Sequence, residues 1–267
     1  MKLGELIAAV EKRFRTARLH YGHGTENARD EAAFLVLRSL RLPFETDLRE
    51  SVPAKAAKKL EPLVRRRIEE RVPAAYLLKE AWLDGMEFYV DERVIIPRSH
   101  IAFLLKDVPA PRRVLDLCTG SGCLALLAAR AFPKAEVVAS DLSPAALAVA
   151  KKNAAGRVRL VRSDVFDALR GERFDLIVTN PPYVDAPAMR KLPKEYRHEP
   201  RLALAAGSDG LEVVHRILAD AKDHLTPRGR LLCEVGDSRR ALERAYPRLP
   251  LEWPHASVFL LRREKMG

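Results

Sequence analysis

The chain has 267 residues, 48% of them hydrophobic, and 47 Lys and Arg against 36 Asp and Glu give a formal net charge of +11. That is enough for one large domain or two smaller ones; no apolar run approaches the roughly 20 residues of a membrane span, and charges interrupt the opening MKLGELIAAVEKRF too often for a secretory signal. Cys118, Cys123 and Cys233 show no metal-like grouping, so no metal and a reduced, cytoplasmic compartment are expected, while the positive charge favours an acidic or nucleic-acid-associated partner without bearing on fold.

Residues 1 to about 79 read as helical. GELIAAVEKRFRTARLHYG spaces its apolar residues three and four apart. TENARDEAAFLVLRSLRLP offers Thr25 as a helix N-cap and stops before Pro43. AKAAKKLEPLVRRRIEERVP is a third helix, expected to break near Pro62. Its RRR at 65–67 reads as a solvated helix face, with nucleic-acid contact as the competing reading. Residues 80–99 alternate apolar and polar side chains on both sides of Asp84-Gly85, the pattern of a small β-hairpin.

From about residue 112 strands and helices take turns. RRVLDLC, AEVVASD, RVRLVRSDVF, FDLIVTN, GRLLCEVG and VFLLRR read as strands. SGCLALLAARAF, SPAALAVAKKN, DGLEVVHRILADAKDHL and SRRALERAY read as helices, the second capped by Ser143 with Pro144 at its first position. Such alternation gives a Rossmann-like α/β fold, a mostly parallel sheet covered on both faces.

The motifs fall at one edge of that sheet. VLDLCTGSGC places a glycine turn between the first strand and the first helix, where a ligand can approach the backbone closely. Its G-x-G lacks the third glycine of the dinucleotide fingerprint. Asp116 stands just before the loop, and Asp141 ends the second strand about twenty residues on, where a carboxylate can hold both ribose hydroxyls. SDV at 163–165 ends the third strand, where an adenine ring would lie. NAD-like dinucleotides and S-adenosylmethionine remain the two ligand classes.

The fourth strand separates them, because it ends in NPPY. A planar amide NH2 is a poor nucleophile, and positive charge builds on its nitrogen as a methyl arrives. The Asn180 side-chain oxygen and the Pro181 carbonyl can accept both N–H bonds in the amide plane and stabilise that charge. Pro181 and Pro182 stiffen the loop so that the acceptors are already positioned. Tyr183 can cover the flat group.

Taken together, IPRS, LDLCTGSGC, TNPPYV and RHEPRLALAAGSDGL resemble the glutamine-amide methyltransferases of the translation apparatus. YGHGTENARDEA at 21–32, PAAYLLKEAWLDGMEFYVDERVIIPRS at 73–99 and LPKEYRHEP at 192–200 are similar to the branch acting on the third large-subunit ribosomal protein, rather than the release-factor branch. The resemblance covers nearly the whole chain. It implies a class I methyltransferase with a seven-stranded sheet over residues 100–267, a helical substrate-recognition domain over 1–79 and a β-hairpin linker over 80–99. It implies S-adenosyl-L-methionine as cofactor, S-adenosyl-L-homocysteine as product, and a ribosomal protein as partner, free or within an RNA-containing assembly intermediate. By the same resemblance, Cys118, Thr119, Gly120, Ser121 and Gly122 wrap the methionine part of the cofactor, Asp141 holds the ribose, and Asp164 and Val165 flank the adenine. Asn180, Pro181, Pro182 and Tyr183 grip the target glutamine, with Asn180 also beside the cofactor. Arg98 helps build the pocket, and Glu199 braces the loop after NPPY. The chain departs from the branch at His100, where proline is usual, in the short link NAAGRVR, and at WPHASVF, where a GDGVF-like turn is usual.

Two rival readings of these residues are a nucleic-acid adenine methyltransferase, which needs a base-flipping apparatus, and a non-catalytic RNA-binding assembly factor.

Overall fold

The computed structural model describes residues 1–266. Its first part is four helices, α1 (Leu3–Thr16), α2 (Ala28–Ser39), α3 (Ala54–Glu69) and α4 (Ala74–Leu78). Leu3, Leu6, Ile7, Val10 and Phe14 form the buried face of α1; with residues of α2, α3 and α4 they make an apolar cluster drawn from residues 3–74. The cap of α2 is Asn27, whose side-chain oxygen accepts the Arg29 and Asp30 N–H groups at 3.0 Å each. Thr25, the expected cap, lies too early and donates instead to Glu31 at 3.2 Å.

Two expectations for α3 fail. The helix runs through Pro62 without breaking: Leu60 and Val64 are anchored in the core, and that burial outweighs the one backbone hydrogen bond a proline removes. The Arg65–Arg67 run is not one solvated face. Arg65 and Arg66 are exposed and pair one turn on with Glu69 at 3.8 Å and Glu70 at 3.0 Å. Arg67 is completely buried, with Nε 2.6 Å from Glu31 and an Nη 2.8 Å from the His20 carbonyl.

A hairpin follows, β1 (Ala81–Leu83) against β2 (Met86–Phe88), with Ala81 opposite Phe88. Asp84 and Gly85 have φ of 47° and 71°, as the tight primed turn of a two-residue hairpin requires.

The remainder alternates strands and helices, with α5, α8 and β8 added to the elements read from the sequence: α5 (Ile101–Leu104), β3 (Arg113–Leu117), α6 (Cys123–Ala131), β4 (Glu136–Asp141), α7 (Pro144–Ala154), β5 (Arg159–Arg162), β6 (Phe174–Thr179), α8 (Ala186–Lys191), α9 (Glu212–Asp220), β7 (Leu225–Glu234), α10 (Arg239–Ala245), β8 (Glu252–His255) and β9 (Val258–Arg262). Seven strands form one sheet in the order β5-β4-β3-β6-β7-β9-β8. The pairings from β5 to β7 are parallel, and β9 runs antiparallel to both neighbours. Apolar clusters cover both faces.

Two boundaries and one strand differ from the sequence reading. β5 stops at Arg162 because the chain turns at Val165, φ 47°. α9 ends at Asp220, freeing His224 to accept the Phe174 N–H as β7 begins. β8 escapes the alternation rule: it is a four-residue edge strand containing Pro254, a residue tolerated only where no partner needs its N–H. The strand order reverses between β3 and β6. At such a switch point the loops leave the sheet in opposite directions and open a crevice at the carboxyl ends of the strands.

Candidate active site

The glycine loop leaves β3 at Cys118, whose backbone is left-handed with φ 60°. Gly120 has φ 56°, and a Cβ there would meet no protein atom within 4 Å. Its N–H donates to Asp141 Oδ2 at 2.8 Å, and Asp141 Oδ1 accepts the Ser143 N–H at 2.9 Å. Burial pushes the Asp141 carboxyl upward, and these backbone donors oppose the shift. The carboxylate keeps further lone pairs for hydroxyl donors.

Thr119, Ser121 and Gly122 play a different part from Cys118 and Gly120. Thr119 is buried and donates to Asp116 Oδ2 at 2.5 Å; the Ala125 N–H reaches the same oxygen at 2.9 Å. Burial pushes the Asp116 carboxyl up to about 7. The Ser121 carbonyl accepts from Asn153 at 2.9 Å. At Gly122 a Cβ would come within 3.2 Å of the Ala150 Cβ, so this glycine serves the packing of α6 on α7. These three residues support the loop from behind.

Two cavities flank NPPY. The first, about 360 Å³, is lined by Cys118, Gly120, Asp141, Asp164, Val165 and Pro182, with Leu142 and Leu202 also in its wall. Leu142 and Leu202 are 43% and 57% exposed, an apolar pair suited to the faces of a flat ring. The second, about 600 Å³, is lined by Arg98, Pro181, Tyr183, Tyr196 and Glu234 among others. Asn180, Ile95 and Ala203 border both. The Asn180 side-chain oxygen is buried and accepts no hydrogen bond among the described residues. Open space at Gly120, the Asp141 carboxylate, an apolar pair and an orphaned acceptor at the junction fit a nucleoside carrying a transferable group.

Tyr183 is fixed by glycines that the sequence reading passed over. Its ring lies over Gly236, where a Cβ would sit 2.5 Å from a ring carbon. Its carbonyl accepts from Ser238 at 3.2 Å, and a Cβ on Gly210 would come within 2.5 Å of that same oxygen. Burial, then the nearby Glu234 charge, raises the Tyr183 hydroxyl to about 12, so it stays protonated. Glu234 was also missed; the available signal is its place at the end of a strand and next to a glycine turn, as with Asp116 and Asp141.

The segment after NPPY is tied down by ionic contacts. Glu199 accepts the Ile96 N–H at 3.0 Å and both Arg98 Nη groups at 2.5 and 2.8 Å. Glu195 Oε1 accepts the His20 N–H at 3.0 Å and lies 3.4 Å from Arg67 and 3.5 Å from Arg71. The His23 ring packs tilted against Tyr196, 4.3 Å between centroids and 52° between planes. Burial lowers the His23 pKa to about 4, so its imidazole is neutral. Among the described residues no group of His, Cys, Asp and Glu is arranged to hold a metal, and no helix is long and apolar enough to cross a membrane.

A Rossmann-like sheet with a glycine loop after its first strand, an acid ending the second and NPPY ending the fourth defines a class I methyltransferase, a class that uses S-adenosyl-L-methionine. Residues 100–194 match the methyltransferase small domain family. A solved methyltransferase from Pyrococcus furiosus shares the fold at a TM-score of 0.51 and 17% identity, over 77% of this chain and 98% of that one. In sequence, the chain is 48% identical to a ribosomal protein uL3 glutamine methyltransferase of Bradyrhizobium diazoefficiens, over 94% of this chain and 87% of that protein. It is 47% identical to the protein of that name from Neisseria meningitidis serogroup B, over 98% and 93%, and 46% identical to that of Bordetella pertussis, over 99% and 96%. The chain belongs to the uL3 glutamine methyltransferase family.

Proposed function

We propose that the chain methylates the side-chain amide nitrogen of a glutamine in ribosomal protein uL3, in the cytoplasm, leaving S-adenosyl-L-homocysteine. The observation that carries this reading is the meeting of two cavities at Asn180, whose buried side-chain oxygen has no partner among the described residues. S-adenosyl-L-methionine, held in the smaller cavity, supplies an electrophilic methyl group on a sulfonium. There Cys118 and Gly120 line the methionine end, Asp141 accepts from the ribose hydroxyls, and Asp164 and Val165 border the adenine, with Leu142 and Leu202 on its faces. Thr119, Ser121 and Gly122 keep the loop in shape.

The target glutamine enters from the larger cavity. Asn180 Oδ1 and the Pro181 carbonyl accept the two amide N–H bonds, turning the nitrogen's face toward the other cavity. Both acceptors are set before the amide arrives, so they stabilise positive charge on nitrogen without reorganising. Pro182 holds the loop's course and Tyr183 closes over the amide. Residues 1–79 act as the substrate-recognition domain, with 80–99 as linker and 100–267 as the transfer domain. The ionic contacts of Glu195 with Arg67 and Arg71 support this division, since they fix the N-terminal helices against a wall of the larger cavity.

Arg240 and Arg244 lie exposed one turn apart on α10 at the rim of that cavity. With a net charge of +11, they support a substrate met in an RNA-containing assembly intermediate, since phosphates draw in basic side chains. The test is incubation with labelled S-adenosyl-L-methionine and three substrates: free uL3, uL3 bound to ribosomal RNA, and that RNA alone. The expected label sits on one uL3 glutamine side chain, located by mass spectrometry, and is faster with RNA present. Label in the RNA, or on no glutamine, overturns the reading.

A further inference from the structure

NPPY supplies two acceptors, yet the reaction also releases a proton, and the side chain beside Asn180 is a carboxylate. Across the β6–β7 pair Thr179 stands opposite Cys233, so one step further along both parallel strands Asn180 neighbours Glu234. Both line the larger cavity, and the Glu234 side chain is only 4% exposed. Its Oε2 accepts the Ser99 hydroxyl at 2.6 Å and the His100 N–H at 3.1 Å, while Oε1 lies 3.1 Å from His100 Nδ1. A carboxylate has about four lone-pair positions, and these contacts take up three of them.

His100 is itself held in place. Its Nδ1 lies 3.3 Å from the Ser257 hydroxyl, which is 2.9 Å from His255 Nδ1. The two imidazoles stack at 4.0 Å between centroids and 17° between planes. His100 and the 253–259 stretch are two of the places where the sequence departs from its branch, and the fold brings them together at Glu234.

We infer that Glu234 takes the proton the glutamine amide gives up, and that His100, steadied by Ser257 and His255, is the positioning residue that aims its carboxylate. The inference rests on the proposed methyl transfer. In that step the C–S bond breaks with its electron pair going to sulfur, and the nitrogen lone pair forms the new C–N bond. One of the two N–H bonds, released by its NPPY acceptor, then breaks and leaves its electrons on nitrogen, and the proton forms an O–H bond on Glu234. His100 is exposed, so the cluster reaches solvent, where the proton is finally lost. Titratable or charged groups around Glu234 are His100 before α5, Arg98 on the same segment, Tyr183 after β6, Cys233 in its own strand, Asp237 and Arg240 beyond it, and His255 at the end of β8.

The test compares kcat against pH for the parent, Glu234→Gln, His100→Ala and His100→Asn, with cofactor affinity measured by calorimetry. Glu234→Gln keeps the shape and removes the proton acceptor. Its kcat falls about 100-fold, within the span of positioned acid–base groups, its acidic limb disappears, and its cofactor affinity is unchanged. His100→Ala removes a hydrogen-bond donor to the carboxylate, and the acidic limb of the kcat profile moves to higher pH. His100→Asn restores a donor near the Nδ1 position and moves the limb back. A Glu234→Gln enzyme within threefold of the parent, with the same limb, overturns the inference. Should that variant not fold, an unmoved limb in His100→Ala overturns it equally. Methyl transfer by the parent tests the proposed function; the variants test Glu234 alone.

Discussion

The two cavities are built by different means. The smaller one is shaped by backbone: left-handed turns at Cys118 and Gly120, a carboxylate on main-chain N–H groups, and strand ends in register. The larger one depends on charged side chains brought from far apart in the chain, Arg67 with Glu31 and Glu195, and Arg98 with Glu199. Backbone geometry is local and can be placed by a short motif. A buried ion pair is tolerated only with its partners present, because desolvating an uncompensated charge costs more than the pair returns. Damage to the first wall should therefore appear as lost binding, and damage to the second as lost stability.

The largest effect expected is at Arg67. Arg67→Ala leaves Glu31 buried without its cation and Glu195 with Arg71 alone, and removing one partner of a buried pair costs about 3–5 kcal/mol; a urea-unfolding midpoint close to the parent's would contradict this. Next comes the junction between the cavities. Asn180→Ala removes one preorganised acceptor, worth about 3–4 kcal/mol or roughly 100- to 1000-fold in kcat, with cofactor affinity retained in calorimetry. Asn180→Asp keeps an acceptor and should be more active than Ala if accepting is the whole role.

His23 belongs to the second wall and adds a pH dependence. Its folded-state pKa is lowered to about 4. The unfolded chain takes up a proton near pH 6.5 that the folded protein refuses, so stability is full above pH 6.5 and is lost as pH falls toward 4. The loss approaches about 3 kcal/mol by linkage. His23→Leu should flatten that part of the acid slope in denaturant midpoints compared at pH 7 and pH 4.5. On the first wall, Asp141→Ala should weaken S-adenosyl-L-methionine binding by about 1.5–3 kcal/mol, the worth of a hydrogen bond to a charged group, while the unfolding midpoint moves less than in Arg67→Ala. The smallest effect is at Arg66, an exposed neighbour of Arg67 paired with Glu70 one turn on. Arg66→Ala should stay within about 0.5 kcal/mol of the parent, as exposed helix pairs do.

The contrast between Arg66 and Arg67 also marks what could be read from the sequence. Strand periodicity, the glycine loop, Asp141 and NPPY are short-range patterns, and the fold sets them at one sheet edge as expected. Arg67 looked like its neighbours because nothing in RRR records that Glu195, 128 residues away, will meet one of the three. Pro62 looked like a break because a local rule knows nothing of Leu60 and Val64 being buried around it. β8 was invisible because a four-residue edge strand with a proline has no period to detect. Gly210 and Gly236 were read only as parts of the helix DGLEVVHRILADAKDHL and the strand GRLLCEVG; that both make room for Tyr183 depends on a packing arrangement that only three dimensions supply.

The separation between Arg67 and Glu195 carries one more consequence, for a chain that emerges from its N-terminus onward. When the first helices leave the ribosome, Arg67 has Glu31 within reach, 36 residues behind it, but neither Glu195 nor the wall it belongs to. Closing so long a loop is slow, because its entropy must be lost before any contact rewards it. The early helices therefore wait with a half-compensated guanidinium until the NPPY strand and the stretch after it have been made. In vectorial synthesis this joint can set only once the stretch after β6 has emerged, while β7, β8 and β9, which complete the sheet, are made later still.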